Sequence, residues 1–269
     1  MGVIVPRLRP EHGLWRSGLR RVVGVDEVGV APTCGPVVAA AVIMPPNGRK
    51  IPGVRDSKTL SAVQRERLEP LIRRRALAVG VGAASVAEID RLNIYHATHL
   101  AMRRAIARLG GHDHVLVDGN RIVGFEGHVG PYTSIVDGDA TCYSIACASV
   151  VAKVVRDRLM TRLAARYPGY GWEHNAGYAT ADHREALATL GPTPFHRRSF
   201  AAVQAAIHGS QLGFGLADVE GDPGRAGALD TELPDDLGAI VVLDLDARTA
   251  AGLAGLALER DPELAVADA

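Results

Sequence analysis

The 269-residue chain lacks any apolar run of the roughly 18 residues needed to span a membrane. Its first residues, MGVIVPRLRPEHGLWRSGLRR, carry arginines and prolines where a signal peptide needs an unbroken apolar stretch. Cysteine is scarce. Cys34, Cys142 and Cys147 cannot all pair and show no C-x-x-C spacing, which argues against a disulfide framework and a zinc site and leaves them as small buried residues. A G-x-x-x-x-G-K-[ST] loop, a G-x-S-x-G turn and a G-x-G-x-x-G in the right context are also missing, so nucleotide-binding and serine-hydrolase chemistry have no sequence support. What remains is the expectation of a soluble, cytoplasmic monomer without membrane contact, and a hydrophobic content of 47% supports a sizeable core.

A net charge of zero conceals two opposite parts. Residues 1–208 hold 27 Lys and Arg against 17 Asp and Glu, whereas residues 209–269 hold 3 Arg against 13 Asp and Glu. A basic body attracts polyanions such as nucleic acid, although a solvated basic surface accounts for the same charge equally well. The acidic tail reads as a solubilising extension, with folding back over the basic body in competition with nucleic acid as the alternative. The composition therefore divides the chain into a basic N-terminal arm at 1–20, a main domain at 21–208 and an acidic extension at 209–269.

Valine-rich apolar segments at 21–28 and 36–44, separated by a Gly and Pro turn, predict an antiparallel strand pair. Ser61 with Gln64 and Ser85 with Glu88 have capping-box spacing and start two helices, and Pro70 is expected to kink the first or end it early. "LAVGVGAAS" predicts a strand between them. Ile94, Ala97, Ala101, Met102, Ala105, Ile106 and Leu109 recur at helical spacing and carry the second helix to Gly110 and Gly111. Strands at 114–119 and 133–139, a long helix over 144–166 and a shorter one over 181–190 follow. Strands first, then strands alternating with helices, indicate an α/β fold with a mixed sheet. In the tail, "AIVVLDLDARTAAGLAGLALE" has the pattern of one strand and one helix.

Four acidic residues lie within or at the end of these apolar strands: Asp26 and Glu27 in "VGVDEVG", Asp118 in "VLVDG" and Asp139 in "SIVDGD". Each alone reads as a strand-end turn former. Burying unpaired carboxylates is costly, and their recurrence at several strands points to one acidic cluster whose repulsion a divalent cation would remove. A few carboxylates with positions left for water and phosphate suit Mg²⁺ or Mn²⁺ and in-line attack on a phosphodiester. Adjacent strand residues face opposite ways, so Asp26 and Glu27 share one site only if the strand ends or twists there, as Gly29 and Pro32 allow. His96 and His99, followed by Arg103, read as an exposed helix face rather than a metal pair. Lys153 and Asp157 read as a structural pair one helical turn apart.

The segments "GVDEVG", "DSKTLS", "LNIYHATHLAMRRAI", "VLVDGN", "GDATCYSIACASVVAKVVRDRLM", "YPGYGW", "NAGYAT" and "GPTPFHRRSF", in this order over residues 21–203, resemble bacterial ribonuclease HII, the type 2 ribonuclease H. The resemblance implies a ribonuclease H-like fold for the catalytic domain at 21–208, with a mixed central sheet flanked by helices. It implies metal-dependent hydrolysis of RNA paired with DNA and cutting 5′ of ribonucleotides embedded in duplex DNA, with 3′-hydroxyl and 5′-phosphate products. By position, Asp26, Glu27 and Asp118 are the expected ligands of Mg²⁺ or Mn²⁺, and Asp139, rather than its neighbour Asp137, is the expected fourth catalytic carboxylate. Tyr178 is expected to stack on the sugar beside the junction, and Lys58 to contact phosphate. The family's "GRG" junction loop is here Gly29, Val30 and Ala31, the lysine common before "GY" is Ala176, and "GDAKS" reads "GDATC". Losing the guanidinium, and adding a Cβ at 31 where a positive φ or close approach is needed, predicts weakened or relaxed junction recognition with hydrolysis retained. The competing reading from another class is a catalytically silent nucleic-acid-binding protein.

Overall fold

The computed structural model describes residues 4–213, and from residue 214 the acidic extension, with its strand and helix pattern, lies outside the described residues. The elements run α1 (Arg9–Arg16), β1 (Val22–Val28), β2 (Val37–Ile43), α2 (Ala62–Arg75), β3 (Ala78–Ala84), α3 (Val86–Ala107) and β4 (His114–Asp118). They continue with α4 (Glu126–Val129), β5 (Tyr132–Ile135), α5 (Gly138–Thr141), α6 (Tyr143–Arg166), α7 (Trp172–Asn175), α8 (Ala181–Leu190) and α9 (Ala201–Gly213). Among the described residues no helix is long and apolar enough to cross a membrane.

The strands form one mixed sheet in the order β3-β2-β1-β4-β5. β1 pairs antiparallel with β2, and β2 with β3, while β1–β4 and β4–β5 are parallel. Every residue of β2, VVAAAVI, is buried, as a strand covered on both faces requires. Val23, Val25, Val37, Ala39, Ala41 and Ile43 pack with Ala97, Ala101, Met102 and Ala105 of α3. Fully burying one such Val or Ile side chain contributes about 1.5–3 kcal/mol. The opposite face receives α6, whose residues Tyr143 to Ala152 are all buried.

Both capping boxes are present, with Ser61 and Gln64, and Ser85 and Glu88, exchanging side-chain and main-chain hydrogen bonds. Three local expectations are corrected. Helix α2 does not end early at Pro70 but runs on to Arg75. Pro70 is exposed, and Glu66, whose carbonyl loses its helical donor, is exposed too, so water can satisfy it. The predicted strand at 133–139 ends at Ile135, because Asp137 turns into the left-handed region (φ 52°) and starts α5. Asp139 therefore sits on a helical turn rather than on a strand. Helix α3 is also interrupted at Asn93 (φ 64°), which the regular apolar spacing did not reveal.

From Arg7 onward the N-terminal arm packs on the body. Trp15 of α1 joins Val22, Leu116, Cys142 and Ile145 in a buried cluster. The fully buried Glu11 accepts the Ser144 N–H at 2.8 Å, so a carboxylate meets the positive first turn of α6. The main chain of Arg7 bonds to Thr141 O and Tyr143 N at 2.9 and 3.1 Å. These contacts fix the segment that joins Asp139 to α6.

Candidate active site

Parallel pairing places Val25 beside Val117, so Asp26 and Asp118 follow as the next residues of adjacent strands. Even-numbered residues of β1 face α6, where Gly24 meets its first turn, and Asp26 looks to the same side. Asp139, on α5 just before α6, completes that side. Its Oδ2 accepts Lys58 Nζ at 2.8 Å, while Asp118 Oδ1 accepts the Gly138 N–H at 2.7 Å and the Asp139 N–H at 3.3 Å. Asp26 Oδ1 accepts the N–H of Glu27 at 2.8 Å. Both Asp26 and Glu27 remain paired with β2, opposite Ala40 and Ala39, and the strand ends one residue after Glu27.

The electrostatics mark these groups as one cluster. Burial, followed by the charges of Glu27, Asp118 and Asp139, raises the Asp26 carboxyl well above its ordinary range. Burial and then Asp118 push Glu27 up to about 7. Burial and then Asp139 raise Asp118. The hydrogen bond to Asp139 raises Lys58, whose ammonium offsets part of the negative charge. Among the described residues no three His, Cys, Asp or Glu side chains converge at ligand distance. The donor set is nevertheless all hard oxygen, and carboxylates that resist ionising together suit a small divalent cation.

The residues expected at the substrate edge are brought beside one another. Val30 and Ala31 are exposed, and so is Tyr178. Thr33 N donates to Gly177 O at 2.9 Å, which ties the loop after β1 to the Tyr178 segment. Ala31 does not adopt a positive φ, so its Cβ meets no backbone restriction. The left-handed position is Gly29 (φ 95°), where a Cβ would lie 2.2 Å from Arg156 Nε. The glycine that the turn requires is retained, and the one replaced by alanine was not needed for backbone shape. Lys58 Nζ bonds to Asp139, so the expected phosphate contact sits inside the acidic cluster. Lys153 and Asp157 pair at 2.6 Å, and all three cysteines are free and buried. His96 is exposed and His99 packs its ring 4.2 Å from Tyr95.

A buried polar chain behind Tyr178 escaped the sequence reading, because its histidines, 13 residues apart, have no ligand spacing. The Thr193 N–H donates to His196 Nδ1 at 2.9 Å, which leaves the proton on His196 Nε2 to donate to His183 Nε2 at 3.1 Å. His183 Nδ1 in turn donates to Tyr178 O at 2.8 Å, and Trp172 Nε1 also donates to His183 Nε2. Both rings are neutral in this arrangement. Burial lowers His183, and burial followed by His183 lowers His196 to about 4. A histidine lowered from its unfolded value of about 6.5 loses stability as pH falls from about 6.5 toward 4. The expected loss is on the order of 2–3 kcal/mol by pH 4. Raised carboxyls act in the opposite direction, so the urea midpoint, followed by tryptophan fluorescence, is best measured in an Asp26→Asn, Glu27→Gln background. A midpoint that does not fall between pH 6.5 and 4 contradicts the neutral chain.

A mixed five-stranded sheet between helices, with carboxylates collected where β1 and β4 end side by side, defines the ribonuclease H-like class. Solved structures agree: the ribonuclease H2 of Pyrococcus horikoshii superposes with a TM-score of 0.57 at 25% identity, covering 71% of this chain and 99% of that one. The family model described as Ribonuclease HII matches residues 23–203. Ribonuclease HII of Thermosynechococcus vestitus is 55% identical over 192 residues, 71% of this chain and 88% of that protein. Ribonuclease HII of Paracoccus denitrificans is 55% identical over 195 residues, 72% and 90% of the two chains. The chain belongs to the ribonuclease HII family and is a type 2 ribonuclease H.

Proposed function

We propose that this chain is a divalent-cation-dependent endonuclease that hydrolyses the RNA strand of RNA–DNA hybrids. It also cuts 5′ of ribonucleotides embedded in duplex DNA, leaving 3′-hydroxyl and 5′-phosphate ends. The observation carrying this reading is the set of carboxylates gathered where β1 and β4 end side by side, with Asp118 and Asp139 bonded into one network beside an exposed loop. Asp26, Glu27 and Asp118 would hold Mg²⁺ or Mn²⁺, with Asp139 as the fourth catalytic carboxylate. Bound there, the cation would neutralise phosphodiester charge and lower the pKa of an attacking water. Lys58 holds Asp139 in place, and the Asp118 carboxylate is oriented by the N–H groups of Gly138 and Asp139. Tyr178, exposed at the edge, offers a ring for stacking on a sugar. The test is cleavage of a continuous hybrid and of a single-ribonucleotide duplex, each with Mg²⁺ and with Mn²⁺. Binding without cleavage under every condition would instead establish the silent nucleic-acid-binding protein.

A second reading concerns the choice of cleavage site. Val30 is exposed where the resembling family carries an arginine, so a charged contact is replaced by main chain alone. The enzyme would then act on hybrids but recognise single-ribonucleotide junctions weakly. A Val30→Arg, Ala31→Gly variant is expected to lower KM on the single-ribonucleotide duplex by about tenfold, the size of one charge-assisted hydrogen bond. Equal KM for variant and wild type on that duplex contradicts the second reading.

A further inference from the structure

Two arginines are fully buried with no carboxylate at ion-pair distance among the described residues: Arg156 on α6 and Arg197 in the turn before α9. Arg156 donates to Pro36 O (Nε, 3.1 Å), Ala176 O (Nη1, 2.9 Å) and Cys34 O (Nη2, 3.2 Å). Arg197 donates to Gly35 O (Nε, 2.9 Å), Val30 O (Nη1, 2.9 Å) and Gly29 O (Nη2, 2.5 Å). Apart from Ala176, every acceptor lies in the loop at 29–36. Burial disfavours both charges, and Arg156 disfavours Arg197 further, while Asp157 favours the Arg156 charge and Asp90 that of Arg197. Burying such cations is costly unless their donors are paired, and here all three nitrogens of each guanidinium donate to carbonyls.

The orientation of the carbonyls has a consequence on the other side of the loop. In a trans peptide the C=O and the following N–H point in opposite directions. With Gly29 O and Val30 O drawn inward onto Arg197, the N–H groups of Val30 and Ala31 face outward. Both residues are exposed, and among the described residues neither N–H has an acceptor. Two successive outward N–H groups beside a left-handed glycine form an anion-binding concavity, here lying over two buried positive charges and directly after the strand that carries Asp26 and Glu27.

The resembling family uses the main chain of this loop at the junction, and we infer that Arg156 and Arg197 are positioning residues for it: from beneath the loop they aim the Val30 and Ala31 N–H groups outward at the nucleic-acid backbone. Their charge supplies attraction that the Val30 side chain does not. This rests on the nuclease reading above. Arg197→Lys and Arg156→Lys keep a cation but lose the fork that spans several carbonyls. On an RNA–DNA hybrid, at a temperature where each variant is folded, KM is expected to rise about tenfold while kcat changes less than about threefold. In the wild type with EDTA, amide exchange at Val30 and Ala31 should slow about tenfold or more when hybrid is added, a measurement that needs no variant to fold. Unchanged KM in folded, active variants, or equal exchange with and without hybrid, overturns the inference alone. A wild type that neither cuts nor binds the hybrid overturns the nuclease reading, and the inference with it.

Discussion

Asp26→Asn should abolish cleavage and at the same time make the metal-free protein more stable. The amide keeps an oxygen that can accept the Glu27 N–H, so the local hydrogen bond survives. What disappears is a buried negative charge facing Glu27, Asp118 and Asp139. A carboxyl whose folded pKa is raised above its unfolded value costs stability at pH above the unfolded value, because ionising it is harder in the fold. The variant escapes that cost, and its advantage should emerge above about pH 4 and grow as pH rises toward the raised value. Glu27, pushed up to about 7, adds a similar penalty over roughly pH 4.5–7 in both proteins. Cleavage should fall by more than the roughly 10- to 100-fold that losing an outer-shell partner costs, since Asp26 is an expected ligand itself. The upward shift of Tm on adding Mg²⁺ or Mn²⁺ should also shrink, because binding stabilises only in proportion to affinity. Thermal melts in EDTA and in metal, read beside hybrid cleavage, check all three parts. A lower Tm in EDTA would mean that Asp26 is a structural residue.

The sequence displayed most of the sheet because its signals are local. Valine runs bounded by Gly and Pro, and two capping boxes, each constrain a few neighbouring residues, and β1 to β4 and the long α6 formed where they were expected. The fifth strand was overextended because "TSIVDGD" continues an apolar run that only the left-handed backbone of Asp137 breaks. The short α1 was hidden among arginines, since its burial depends on Trp15 and Glu11 meeting residues more than 100 positions away. Asp26, Glu27 and Asp118 were visible as carboxylates on apolar strands. Arg156 and Arg197 were not, because their partners are main-chain groups of distant loops, and a carbonyl acceptor leaves no residue type to recognise. His196 was hidden for another reason: it bonds the nearby Thr193 N–H and a histidine 13 residues away, a spacing with no motif.

Gly24→Ala should be a severely damaging small substitution in the sheet. Gly24 lies in β1 between Val42 and Leu116 on the neighbouring strands, so the sheet cannot yield locally. An added Cβ would lie 2.2 Å from Ser144 C, 2.4 Å from Ile145 N and 2.5 Å from Ser144 O, all main-chain atoms of the first turn of α6. No rotamer relieves such a contact. That turn is also held by Glu11 on the Ser144 N–H, by Tyr143 Oη on the Ile51 N–H at 2.6 Å and, one turn on, by Ser149 Oγ on the Ser57 N–H at 3.2 Å. Overpacking costs about 1–3 kcal/mol and more where the neighbours are rigid, so a loss of about 3 kcal/mol or greater is expected. For a domain of this size that lowers Tm by roughly 6–12 °C. Asp139 lies on α5, four residues before the displaced turn begins, and Ser57 is next to Lys58, so the acidic cluster moves with it. A shift of about 1 Å in a catalytic group can cost about 100-fold in rate, which sets the expected fall in kcat for the folded fraction. Gly13→Ala is the matched control: Gly13 lies inside α1, has no atom within 4 Å of its added Cβ and lacks a positive φ. Alanine there should stabilise by up to about 1 kcal/mol and leave cleavage unchanged. Thermal melts and hybrid cleavage of the two variants, side by side, separate close packing at β1 from any general sensitivity to alanine, and equal Tm values for the two would contradict the β1–α6 contact.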